Sequence, residues 1–210
     1  MGKVHEGSKT PSLPFAWITP GLIYIVFLDV VTIAGLGDLF RPLILPWNLI
    51  IALLPWVTVL VLRCRNSVLG FNRRLALYSL GWGVLMGAVW RGLSLGFNAL
   101  VQGGWTRLGW GIITWLGAII LIPIVEETFF RGYLCRALVE KIGSWPGILL
   151  QALLFSFHPG HWVQGWPHLM SIFAFGILAG WLIDRFGSIW APIGAHAFAN
   201  VLPEIMRSLI

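Results

Sequence analysis

The chain reads as an all-α polytopic membrane protein, a bundle of about seven transmembrane helices within a range of roughly six to eight. Three observations lead there. Hydrophobic residues make up 58% of the 210 positions and charged residues only 10%, against about 25% charged in an ordinary soluble domain. Mean hydropathy is +0.84, and several apolar runs approach the roughly 20 residues that cross a bilayer. Thirteen Trp, 12 Pro and 25 Gly suit interfacial aromatic belts and kinked, closely packed membrane helices.

The elements follow from apolar runs and their breaks. Met1 to Ser12 is polar and short. The first run, Phe15–Leu36, is too long for the apolar core of a cleavable signal and reads as a retained helix. Leu43–Leu62, Leu75–Leu95 and Leu108–Val125 follow. Trp145–Phe157 is the weakest, a candidate broken or half-inserted helix. Leu169–Ile183 and Ile189–Met206 complete the set. Short spans fit a bundle by tilting or by partial burial. No repeat or low-complexity segment divides the chain, so residues 1–210 are expected to form a single membrane domain.

Charge sets the expected orientation. Arg63, Arg65, Arg73 and Arg74 form the densest basic loop, which the positive-inside rule assigns to the cytoplasm. Two spans precede it, placing the N-terminus on the same side with Lys3 and Lys9. Two more spans return the chain to Arg131, Arg136 and Lys141, and a further two to Arg185. The opposite loops hold Arg41 and Arg107. The N-terminus is therefore expected on the cytoplasmic side; the expected location, a bacterial inner (plasma) membrane, goes with the family resemblance given below. The net charge of +6 is accounted for by these loops, so lipid headgroups rather than nucleic acid are the expected partner. Cys64 and Cys135 both fall near basic, cytoplasm-facing segments, and no disulfide is expected.

Glu126-Glu127 ends the fourth run. Two carboxylates there are costly and are tolerated mainly where they pair, line a wet cavity or do chemistry. On a helix Glu127 and Arg131 share a face, where Arg can grip a carboxylate with two N–H groups. Glu126 points away, free to act as a general base. Pro123 would loosen the helix just upstream. A second cluster is Phe155-Ser-Phe157-His158-Pro-Gly-His161, where two imidazoles stand at a helix break. The third is His196-Ala-Phe-Ala-Asn200, with both polar side chains on one helical face. Each alone fits snorkelling charges or interhelical hydrogen bonds. Together they offer a base for water, a proton partner and donors for an oxyanion. There is no G-x-S-x-G elbow, phosphate loop or H-E-x-x-H signature. Water activated by Glu is the economical mechanism.

These residues resemble the CAAX-protease and bacteriocin-processing (CPBP, Abi) family of glutamic intramembrane proteases. The E-E-x-x-x-R motif matches Glu126, Glu127 and Arg131, continued by Gly132-Tyr133-Leu134. The H-x-x-x-N motif matches His196 and Asn200, approached through Phe186-Gly-Ser-Ile-Trp190-Ala-Pro192-Ile-Gly-Ala195. The resemblance covers 122–202 as the catalytic core. The middle motif, F-x-x-x-H, departs: Phe155 holds the familial position but Pro159 stands four residues on. His158 comes one residue early and is preferred by depth; Phe157 with His161 keeps the spacing literally. The resemblance implies an intramembrane endopeptidase. Glu126 and a middle His would activate water, His196 and Asn200 would stabilise the oxyanion, and Glu127 and Arg131 would orient the site. It implies peptide or protein substrates, membrane-associated or prenylated tails among them, and no cofactor.

Two other readings of the same residues remain. Glu126, His158, His161 and His196 could serve a metal-dependent membrane hydrolase. The polar groups could instead lock the helices of a non-catalytic scaffold or immunity protein, or pass protons. Arg91, within or near the third span, is expected to snorkel, with Asp29 as an alternative internal partner. His168, Asp184, Arg185 and Glu204 take no catalytic role.

Overall fold

The computed structural model describes residues 13–36, 44–102, 116–158, 161 and 166–208. Regular structure among the described residues is helical throughout. α1 (Phe15–Ile33) and α2 (Ile44–Val61) lead through two short 3₁₀ turns into α3 (Ala76–Gln102). From 116 to 142 the backbone stays helical but changes pitch. A π segment (Gly117–Leu121) precedes α4 (Ile122–Glu127), a second (Thr128–Cys135) follows it, and α5 (Arg136–Ile142) closes the run. α6 (Ser144–Ser156), α7 (Trp166–Phe186) and α8 (Trp190–Ser208) complete the chain. The fourth element thus continues past Val125 rather than ending there: Glu126 and Glu127 lie inside a helical stretch. The portion of that span at 108–115 lies outside the described residues, as do Lys3, Lys9, Arg41 and Arg107.

α1 and α7 are each long and apolar enough to cross a membrane; α6 and residues 48–61 of α2 are apolar but shorter. The outer faces of the first three helices expose large apolar side chains, including Ile23 at 65%, Leu60 at 76% and Leu77 at 86%. Water penalises such contiguous apolar surface, and hydrocarbon does not.

Close packing fixes how α3 and α8 meet. A methyl on Gly83 would overlap the carbonyl of Ala191, and one on Gly87 that of Ala195. In return, a Cβ on Gly194 would come within 2.7 Å of Leu80 O. The Gly83-x-x-x-Gly87 spacing therefore lets two backbones approach as small-residue membrane interfaces do. Ser79 and Ser188 join their hydroxyls at 2.8 Å at one end of this seam.

The segments assigned by charge to one side do gather together. Arg136 Nη1 donates to Ser67 O at 2.9 Å and Val68 O at 3.0 Å, and Ile189 N–H donates to Gly70 O at 2.9 Å. Arg63, Arg65, Arg73 and Arg74 are exposed on the loop so held. Cys64 and Cys135 are free thiols. Asp29 and Arg91 do not pair: Asp29 Oδ1 and Arg91 Nε are each buried without a hydrogen-bond partner.

Candidate active site

Glu127 is the hub. It is fully buried, as is Arg131. Arg131 Nη1 donates to Glu127 Oε1 at 3.2 Å, and Nε lies 3.1 Å from Oε2 without hydrogen-bond alignment. Burying this pair costs each ion its hydration, and the mutual attraction offsets that cost only with good geometry. Aromatic faces contribute further. The guanidinium carbon sits 4.1 Å from the Phe155 ring centre, 5.6 Å from that of Phe175 and 6.0 Å from that of Phe130, within the range where a cation is drawn to a π face.

His196 arrives from α8. Its Nδ1 lies 2.7 Å from Glu127 Oε1, and its Nε2 lies 4.0 Å from Glu126 Oε2. With Glu127 as a carboxylate, which only accepts, Nδ1 must carry the proton it donates. One carboxylate thereby fixes the ring, and the other ring nitrogen turns to the second carboxylate. Glu126 keeps 22% of its side chain accessible while Glu127 keeps none. Adjacent residues on a helix point roughly 100° apart, which accounts for one anchored and one open carboxylate. The Gly83/Ala191 and Gly87/Ala195 contacts set the depth of His196, which directly follows Ala195.

Asn200, one turn beyond His196, donates from Nδ2 to Ala118 O at 2.8 Å. Pro123 explains why that carbonyl is available. Ile122 N–H bonds back five residues to Gly117 O. The next bond of that pattern would run from residue 123 to Ala118, and proline has no N–H to give.

The two middle histidines lie on the aromatic wall. His161 Nδ1 is 2.8 Å from Phe155 O, and its ring centre is 4.7 Å from that of Phe155. His158 lies 6.1 Å from the Phe130 ring and 5.7 Å from that of His161. Phe155 and Phe175 also meet His196, at 6.5 and 5.2 Å between ring centres. The structure thus joins Glu127, Arg131 and His196 directly, sets Glu126 beside His196, and carries His161 and His158 to the same wall. The imidazole shown beside Glu126 is that of His196. Sequence reasoning passed over Phe175 and the Ala118 carbonyl. A proline five residues beyond a carbonyl signals the second; an aromatic in an apolar helix gives no sign of the first. Among the described residues no three His, Cys, Asp or Glu side chains gather as a metal-binding group.

Known proteins add to this geometry. Residues 108–202 match the family described as Type II CAAX prenyl endopeptidase Rce1-like. This similarity to the CAAX-protease family covers a little under half of the chain. The matched region holds every residue of the candidate site. The chain is also 33% identical over 88 residues to "Putative membrane peptidase YdiL" of Bacillus subtilis (strain 168), a match covering 42% of this chain and 34% of that protein. The aligned part of the chain thus spans about a third of that relative's length. No solved structure matches the chain significantly. Outside 108–202 the CAAX-protease match does not extend, although α3 positions His196 within it.

Proposed function

We propose that the protein is an intramembrane endopeptidase in which Glu126 activates a water molecule to cleave a peptide bond within a polytopic helical bundle. The observation that carries this reading is the single imidazole of His196 contacting both carboxylates, Nδ1 at 2.7 Å from Glu127 and Nε2 at 4.0 Å from Glu126. A 4.0 Å gap is too long for a direct hydrogen bond and short enough for both groups to share one reacting partner. Glu126 takes a proton from water as its oxygen attacks the scissile carbonyl, then returns that proton to the leaving amine. The developing oxyanion needs donors. His196 supplies one when Nε2 carries a proton, and the second N–H of Asn200 supplies another, the first being spent on Ala118 O. His158 or His161 completes the water site from the aromatic wall. Membrane-associated peptides, prenylated tails among them, are the proposed substrates.

The test is cleavage of labelled membrane peptides by purified protein. Glu126→Gln is expected to lower turnover by at least about a thousandfold, as removal of an essential catalytic group does elsewhere. Equal cleavage by wild type and variant would sink the mechanism. Parallel His158→Ala and His161→Ala variants identify which middle imidazole serves.

A further inference from the structure

Arg91 is a charged group in a long apolar helix that the proposed reaction does not use. A guanidinium stays ionised in any protein setting, and a charge at membrane depth needs a partner. Among the described residues no carboxylate pairs with Arg91, and its Nε is buried with no hydrogen-bond partner. Its depth follows from the α3–α8 seam. Gly83 opposes Ala191 and, a turn on, Gly87 opposes Ala195. The same register continued by four residues sets Arg91 level with Ala199, beside Asn200 and one turn beyond His196. A second imidazole lies on α7, toward the same end of α3. His168 lies within electrostatic reach of the Arg91 guanidinium, and its Nε2 is likewise buried without a partner. The His168 ring is 6.3 Å from that of His161, so the pair adjoins the aromatic wall. A Ser94–Ser171 hydroxyl contact of 2.7 Å ties α3 to α7 nearby. The result is two buried nitrogens without hydrogen-bond partners, Arg91 Nε and His168 Nε2, beside the aromatic wall, with the guanidinium carbon 5.9 Å from the Trp90 ring centre.

We propose that Arg91 and His168 form an anion subsite that receives a carboxylate of the peptide substrate, its C-terminal carboxylate above all. The assignment rests on the peptidase reading for its choice of ligand. A lipid phosphate carries similar chemistry and would also suit a buried guanidinium. The depth of Arg91, level with Asn200, favours a group delivered by a chain that passes His196.

Binding is measured on Glu126→Gln protein in phosphatidylcholine nanodiscs, so that turnover plays no part. The probe is a fluorescein-labelled Leu-Ala heptapeptide, as its free acid and as its C-terminal amide. The acid is expected to bind at least about tenfold more tightly, the size of one charge-assisted hydrogen bond. Arg91→Gln removes the difference, Arg91→Lys keeps part of it, and His168→Ala reduces it. If Arg91→Gln does not fold, the other two variants carry the comparison. Equal binding of acid and amide overturns the proposal. So does an outcome in which both peptides bind alike and phosphatidylglycerol weakens both only when Arg91 is present, since the anion is then a lipid phosphate. Absence of cleavage by wild type, with the acid preference intact, refutes the peptidase reading and leaves the subsite standing.

Discussion

At the scale of single residues, the buried Glu127–Arg131 pair decides whether the site holds together. Removing one member leaves the other charge buried and uncompensated, which typically costs about 3–5 kcal/mol. Arg131→Leu alone is therefore expected to destabilise strongly, by chemical unfolding in detergent, and Glu127→Leu comparably. The double replacement should cost much less than the sum, because no orphaned charge remains. Additive losses would show that the two ions do not depend on each other. This part of the site was legible: four-residue spacing on a helix puts Glu127 and Arg131 on one face, and 3.2 and 3.1 Å separations follow. The reach of His196 to both carboxylates was not legible. It depends on the depth at which α8 meets α3, which no local pattern around His196 encodes. The choice between His158 and His161 was open in the sequence for a related reason: Pro159-Gly160 removes the helical periodicity that would have aimed them.

At the scale of helices, two glycine positions and one proline carry predictions. Gly83→Val adds bulk where a single methyl already overlaps Ala191 O, and overpacking of this kind costs typically about 1–3 kcal/mol. Thermal unfolding should show that loss, while Gly92→Ala, with no neighbour within 4 Å of its added Cβ, should hold or slightly raise stability, Ala being the better helix former. Pro123→Ala restores an N–H able to reach Ala118 O. In that background Asn200→Ala should cost less stability than it does in the parent protein; equal costs would mean the carbonyl was never freed by Pro123. The element boundaries were readable to within a few residues for α1, α2, α6, α7 and α8, because apolar runs in a membrane have sharp polar ends. The helix through 116–142 was not. Glu126, Glu127 and Arg131 look like a terminus, yet their charges are neutralised internally and the backbone continues.

At the scale of the whole molecule, the basic loops converge on one face through Arg136, Gly70 and Ile189. Cysteine placed at Arg74, which is exposed, is expected to react with a membrane-impermeant maleimide in inverted vesicles and not in intact cells. The reverse pattern would invert the orientation. The expected sidedness rests on lysine and arginine bias, a compositional signal. The convergence itself needed the structure, since carbonyl acceptors such as Ser67 O leave no mark in sequence. The α3–α8 seam has one further outcome. It has no side-chain cushion, so the two helices are expected to tilt together, and a thinner bilayer that leans one should carry the imidazole away from the carboxylates on the neighbouring strut. Under the proposed function, hydrolysis should then peak in lipids of one acyl length and fall on either side, so that the site would gauge the sheet around it.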